Sequence, residues 1–181
     1  MALVALVMGS VQALVAAAAR YYNISTSTIE VQQNLLTAMS KVCFELGESS
    51  PTSVRADSVA PGGVVFATPR NARNVLVYGT GVNAGKAEWS RYLCYYVDTI
   101  NGESCLIRKE KTVPATYGPP ILPAGETTAA YQASPGNYRI VARRVTAFSV
   151  IDSAPMTITM TAQDVRGEFS ITMKSVVQPK N

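Results

Sequence analysis

MALVALVMGSVQALVAAAARYYNISTSTIEVQQNLLTAMSKVCFELG, residues Met1 to Gly47, decides the architecture of this 181-residue chain. Its first nineteen residues include only three that are not plainly apolar, Gly9, Ser10 and Gln12, and no charge precedes Arg20. As a helix they cover roughly 28 Å, the thickness of a hydrocarbon core, and Ala and Leu are strong helix formers. A cleavable signal peptide fits less well, although Val15-Ala16-Ala17 offers small residues at a cleavage position, because no basic residues precede the apolar run. An ordinary buried helix, apolar on every side, needs a large protein around it, and this chain is small.

The helical pattern continues beyond Arg20. Ile24, Val31, Leu35, Met39, Val42 and Leu46 recur at spacings of three, four and seven, and Leu36 and Cys43 widen the stripe. Gln32, Gln33, Asn34, Ser40 and Lys41 occupy the facing positions, no proline occurs before Pro51, and Gly47 stands where a C-cap belongs. One helix of roughly 70 Å is therefore expected from Met1 to Leu46. Residues 1–20 would be its membrane part and 21–47 its amphipathic part. Val31, Leu35, Met39, Val42 and Leu46 form its core face.

Past Pro51 the period changes. Val64-Val65-Phe66 and Val75-Leu76-Val77-Tyr78 are short apolar runs between turn residues, the pattern of buried strands. Trp89 to Val97 alternates, and Asn101-Gly102 before Cys105-Leu106-Ile107 predicts a hairpin, since both turn residues tolerate positive φ. Lys111 to Asn137 holds five of the ten prolines and reads as a long surface loop. Val141, Val145, Phe148 and Val150 restore a pattern. Met156, Ile158 and Met160, then Phe169, Ile171 and Met173, alternate with polar residues around an Arg166-Gly167 turn. The buried side of that hairpin matches the helix stripe, so the expected fold class is α+β, a long N-terminal helix packed on an antiparallel sheet. Residues 48–181 make the β-rich part and, with 21–47, one domain.

The chemistry of the chain points away from catalysis. Histidine is absent, which removes the commonest general base and a favoured metal ligand. No Ser/His/Asp arrangement exists, and no enzyme activity, cofactor or metal is expected. Gly79 to Lys86 lacks the spacing and the Ser or Thr of a phosphate loop and reads as a hairpin loop. Trp89, Tyr92, Tyr95 and Tyr96 read as core and sheet surface rather than a stacking platform. The net charge of +4 is dispersed, and Arg108-Lys109-Glu110-Lys111 and Arg143-Arg144 read as solvated strand edges, so no nucleic acid is expected. Glu45 and Glu48 read as solvated at a helix end. Asn23-Ile24-Ser25 matches a glycosylation acceptor but falls inside the helix.

Three cysteines permit one disulfide and one free thiol. With Asn101-Gly102 as the turn, Cys105 opposes Asp98, and Cys94 is four residues out of register. A Cys94–Cys105 bond therefore needs a longer loop or a bulge. It is still the pairing expected if one forms, with Cys43 a buried thiol.

With these segments in place the chain resembles the type IV pilin-like superfamily. It is closest in pattern to minor subunits similar to the type II secretion pseudopilin J and to the larger minor pilins. MALVALVMGSVQALVAAAARYYN looks like the later part of their N-terminal segment. LCYYVDTINGESCLIRKE looks like their aromatic hairpin, RRVTAFSV like their Val-x-x-Phe strand, and SVVQPKN like their closing strand. The family's basic leader, Gly, and Phe-Thr-Leu-x-Glu do not precede Met1, and a start truncated within the mature helix is the expectation.

The resemblance implies a structural subunit of a pilus or type II secretion fibre. Such a subunit is held single-pass in the bacterial inner membrane before assembly, with its β domain in the periplasm or outside. Its partners would be inner-membrane lipid and other pilin-like subunits, met through an assembly face near Tyr22, Ile29 and Leu36. No small-molecule ligand is expected. The alternative from another class is a membrane-anchored extracytoplasmic ligand-binding or adhesin-like module.

Overall fold

A computed structural model describes residues 2–57 and 62–180, with side chains at residue 8 and from residue 10 onward. The protein is α+β, one long N-terminal helix with antiparallel β-sheets. Helix α1 (Ala2–Gly47) is continuous over 46 residues. It ends where Ser49 donates both its N–H and its hydroxyl to the Leu46 carbonyl, and where the Lys180 N–H bonds the Gly47 carbonyl. Two of the carbonyls that a helix end leaves open are thereby satisfied, one of them by the far end of the chain.

Strands β1 (Val54–Asp57), β2 (Gly63–Thr68), β3 (Trp89–Ile100), β4 (Glu103–Thr116) and β5 (Tyr138–Arg143) form a five-stranded sheet in chain order. Asn101 (φ 53°) and Gly102 (φ 80°) close the β3–β4 hairpin as the sequence predicts. Two positive φ values in a two-residue loop match the twist of the flanking strands. At Arg144 (φ 60°) the chain leaves this sheet and enters a second one. That sheet contains β6 (Val145–Ile151), β7 (Met156–Gln163) and β8 (Ser170–Val177). The C-terminal hairpin has the predicted alternation, with Met160 across from Met173 and every second residue of β7 buried, except that Phe169 precedes β8 and is exposed.

Two apolar clusters flank the five-stranded sheet. The larger joins Val31, Leu35, Ala38, Met39, Val42 and Leu46 of α1 to one face of that sheet and to the inner face of the second. Phe66 and Tyr95 stack within it, centroids 6.1 Å apart. The smaller occupies the opposite face, with Val65, Tyr92, Cys94, Tyr96 and Ile107, and is covered by Leu122 and Tyr131. The sheet is thus buried on both sides, which is why β2 is buried along its whole length and Val64 to Ala67 are all apolar.

Four sequence expectations change. Val75 to Tyr78 is no buried strand: it makes single bridges from Leu76 to Arg70 and from Tyr78 to Ala87, and Val75, Leu76 and Tyr78 are exposed. An apolar run becomes a buried strand only where a neighbouring strand receives it. Lys111 to Asn137 is not all loop, for β4 continues to Thr116 and α2 (Thr128–Ala133) follows, its Thr127 hydroxyl accepting from the Ala130 N–H. Leu122 and Tyr131 are single apolar residues in this stretch, too sparse to show periodicity.

Trp89 shares sequence parity with Leu93 and Tyr95 but joins the opposite cluster. The pairing shifts between Trp89 and Arg91, and such an irregularity re-aims a side chain. Finally, all three cysteines are free, and Cys43, expected to be a buried thiol, is half-buried at the edge of the larger cluster. Cys105 faces Asp98 and Cys94 faces Lys109. At about 3.3 Å per residue a four-residue offset separates the two by roughly 13 Å, beyond disulfide reach.

Candidate assembly interface

Helix α1 has two environments. Val31, Leu35, Met39, Val42 and Leu46 are buried, and they meet β5, β7 and β8. Burial begins at Ser27 and Thr28; residues 10 to 26 are exposed around the whole circumference. The helix therefore projects from the domain, mostly apolar from Val11 to Ala19. Tyr22 (73% exposed) lies on it, Ile29 (49%) and Leu36 (52%) continue the line on the outer side of the docked half, and Met8 and Val15, also exposed, extend the same seven-residue spacing toward the N-terminus. Ile24, placed by its spacing on the core stripe, is exposed, because the domain ends before it.

An apolar residue every seventh position lays a seam on a helix of 3.6 residues per turn, and a second helix following it winds left-handed. Among the described residues no helix is long and apolar enough to cross a membrane. Residues 1–7 and Gly9 of the expected anchor lie outside the described side chains.

The docked half of α1 is held by charge as well as apolar contact. Glu45, expected in solvent, is buried, and accepts from the Tyr95 hydroxyl at 2.6 Å and from Arg108 Nε at 3.0 Å. Arg108 also reaches Glu110 at 2.9 Å, and Glu110 pairs with Arg91. Burial pushes the Tyr95 phenol up, and the Glu45 charge adds to the shift. Burial works against the Arg108 charge, but Glu45 overrides it and raises the guanidinium. Lys41, one turn before Glu45, is lowered by burial despite the attraction of Glu45. Glu48 pairs with Arg70, whose guanidinium lies 5.0 Å from the Phe44 ring centre.

Lys109 and Arg108 are therefore not solvated edge residues. Lys109 is buried and donates to the carbonyls of Tyr131 and Ser134. Arg143 and Arg144 both pair with Glu103. Sequence reasoning missed this set because each partner comes from a distant element. A faint signal was present: Glu45 lies between Val42 and Leu46, on the edge of the buried stripe.

Trp89, Tyr92, Tyr95 and Tyr96 are all buried, divided between the two clusters. Gly79 to Lys86 is a turn closed by the Gly79 N–H on the Lys86 carbonyl. Among the described residues no group of three or more Cys, Asp or Glu side chains is placed to hold a metal ion. Comparison with family models, with curated proteins and with solved structures finds no match.

Proposed function

We propose that this chain is a structural subunit of a pilin-like fibre, a minor pilin or pseudopilin of a type IV pilus-like or type II secretion machine, acting by assembly. The single observation that supports the reading is the division of α1. Its C-terminal half is locked onto the sheets, while residues 10 to 26 are exposed and, up to Ala19, mostly apolar. In this reading residues 1–20 rest in the inner membrane before assembly and the β-rich domain lies outside it. Neighbouring helices then replace lipid along the seam of Met8, Val15, Tyr22, Ile29 and Leu36. Two anchored proteins meet at a raised effective concentration, so weak lateral contacts suffice.

The test is crosslinking from positions 29 and 36 in cells that express the pilin-like proteins encoded nearby. Adducts to the N-terminal helices of those proteins are expected from Ile29 and Leu36 and not from buried Leu35. Recovery of the uncrosslinked chain alone, with those proteins present, would remove the fibre reading.

A further inference from the structure

Every residue from Tyr21 to Ile29 belongs to the poorer helix formers: two tyrosines, an asparagine, two isoleucines and the Ser and Thr run from 25 to 28. Ala16 to Ala19, the best formers, stand just before them. No ion pair within the helix supports the weak stretch. Asn23 and Ile24 lie three and four positions after Arg20, and Ser27 and Thr26 lie three and four before Glu30, so neither charge meets an opposite one there. The Glu30 carboxylate is instead 3.8 Å from Arg144.

Hydrogen bonds inside the stretch weaken it further. The Thr26 hydroxyl donates to the Tyr22 carbonyl and the Thr28 hydroxyl to the Ile24 carbonyl, both at 2.9 Å. In an α-helix those carbonyls also accept from the N–H groups of residues 26 and 28. A hydroxyl that shares the carbonyl loosens the backbone bond and bends the helix. Thr37 makes the same contact with the Gln33 carbonyl, but there Leu35, Ala38 and Met39 are buried and the sheets hold the helix. Residues 21 to 26 are exposed and have no such support. A groove of about 250 Å³, lined by Asn23, Ile24 and Ser27 on one side and by the β7–β8 turn on the other, leaves the helix room to lean.

We infer that residues 21–29 form a hinge in α1, about which the projecting half changes direction while the docked half stays on the sheets. Low helix propensity, hydroxyl competition at two carbonyls and the end of tertiary packing all fall on this one stretch. On either side one of these is reversed: residues 13–19 are rich in Ala and Leu, and residues 31–46 are packed. The hinge rests on α1 alone and does not depend on the fibre reading. Under that reading, it lets the apolar half pass from lipid to a neighbouring helix without turning the domain.

The test follows amide hydrogen exchange of the full chain, residue by residue, in the detergent or buffer that keeps it monomeric. Residues 23 to 29 should exchange faster than residues 13 to 19 and residues 31 to 46, because local opening is easiest where packing and propensity are both low. Ser25→Ala, Thr26→Ala, Ser27→Ala and Thr28→Ala combined should slow exchange there about tenfold or more, the sum of four propensity differences. Residues 31 to 46 should be unchanged. Spin labels at positions 15 and 176, both exposed, report the direction of the projecting half. A broad distance distribution in the parent should narrow in the alanine variant.

Thr26→Ala with Thr28→Ala removes only the two hydroxyl contacts and decides if the fourfold variant does not fold. The hinge is overturned if residues 23 to 29 exchange no faster than residues 13 to 19, or if the alanines leave their exchange unchanged. A parent distance distribution already as narrow as the variant's overturns it too. So does exchange that rises steadily from residue 29 to the N-terminus, which is the fraying of an unpacked end.

Discussion

At Glu45 the helix and the sheet share charge as well as apolar surface. A carboxylate buried on the core side of a helix is tolerated because the Tyr95 hydroxyl and the Arg108 guanidinium both reach it. Removing Glu45 leaves the buried Tyr95 hydroxyl without its acceptor and Arg108 with Glu110 alone, so Glu45→Ala should cost about 1–3 kcal/mol in chemical denaturation. Glu45→Met with Arg108→Met should cost less than Glu45→Ala alone, and equal losses would mean that the pair is effectively solvated. The tyrosines give a pH dependence. Burial raises the phenols of Tyr95, Tyr96 and Tyr131, Tyr96 to about 12. A folded-state value above the unfolded one contributes stability that is complete below the unfolded value, about pH 10, and is lost as pH rises through the folded value. Stability should therefore fall above about pH 10. Phenolate absorbance should show at least these three of the nine tyrosines ionising only as the protein unfolds. Ionisation of all nine in the folded state would contradict their burial.

Among the elements, α1 and the β3–β4 hairpin make the sharpest demands. Leu35 and Met39 lie inside the larger cluster, and truncation there adds a cavity to the lost transfer energy. Leu35→Ala and Met39→Ala should each cost about 2–5 kcal/mol. Leu36→Ala, one residue along and half exposed, should stay within about 0.5 kcal/mol. The contrast measures which face of the helix is docked, and similar losses at 35 and 36 would rotate it. The hairpin register sets the thiol chemistry. Burial raises the thiols of Cys94 and Cys105, and a thiol that is not ionised is a poor nucleophile. Both should resist alkylation in the native protein, and all three cysteines should react after denaturation without reductant. A Cys94–Cys105 adduct found by mass spectrometry would require a register other than Asp98 across from Cys105.

For the whole molecule, the decisive feature is that α1 outlasts the domain that it helps to build. Packing holds the helix from about Ser27 onward, and residues 10 to 26 before it are exposed, mostly apolar up to Ala19. Under the fibre reading the intact chain should fractionate with membranes or need detergent, while a chain beginning at Asn23 should stay in solution with the same far-ultraviolet circular dichroism. An intact chain that is monomeric without detergent would end the anchor proposal. Ile29→Glu and Leu36→Glu should abolish co-purification with neighbouring pilin-like proteins and leave the domain folded, because neither residue lies in the two clusters.

The sequence by itself determined the elements whose signal is local and repeated. The Val31 to Leu46 stripe specifies a helix face, Asn101-Gly102 a tight hairpin, and the alternation from Met156 to Met173 a half-buried pair of strands. Each is a periodicity or a backbone preference that acts over a few neighbouring residues. The remaining features depend on contacts between distant elements. Which apolar run acquires a strand partner separates Val64 to Phe66 from Val75 to Tyr78. An irregular pairing moves Trp89 to the other face, and two lone residues, Leu122 and Tyr131, cover the second cluster. The polar partners of Glu45 and Lys109 belong to the same class. They come from α1, β3, β4 and α2, up to 63 positions apart. A buried charge is stable only beside the group that the fold brings to it, and nothing within a few residues of either one names that group.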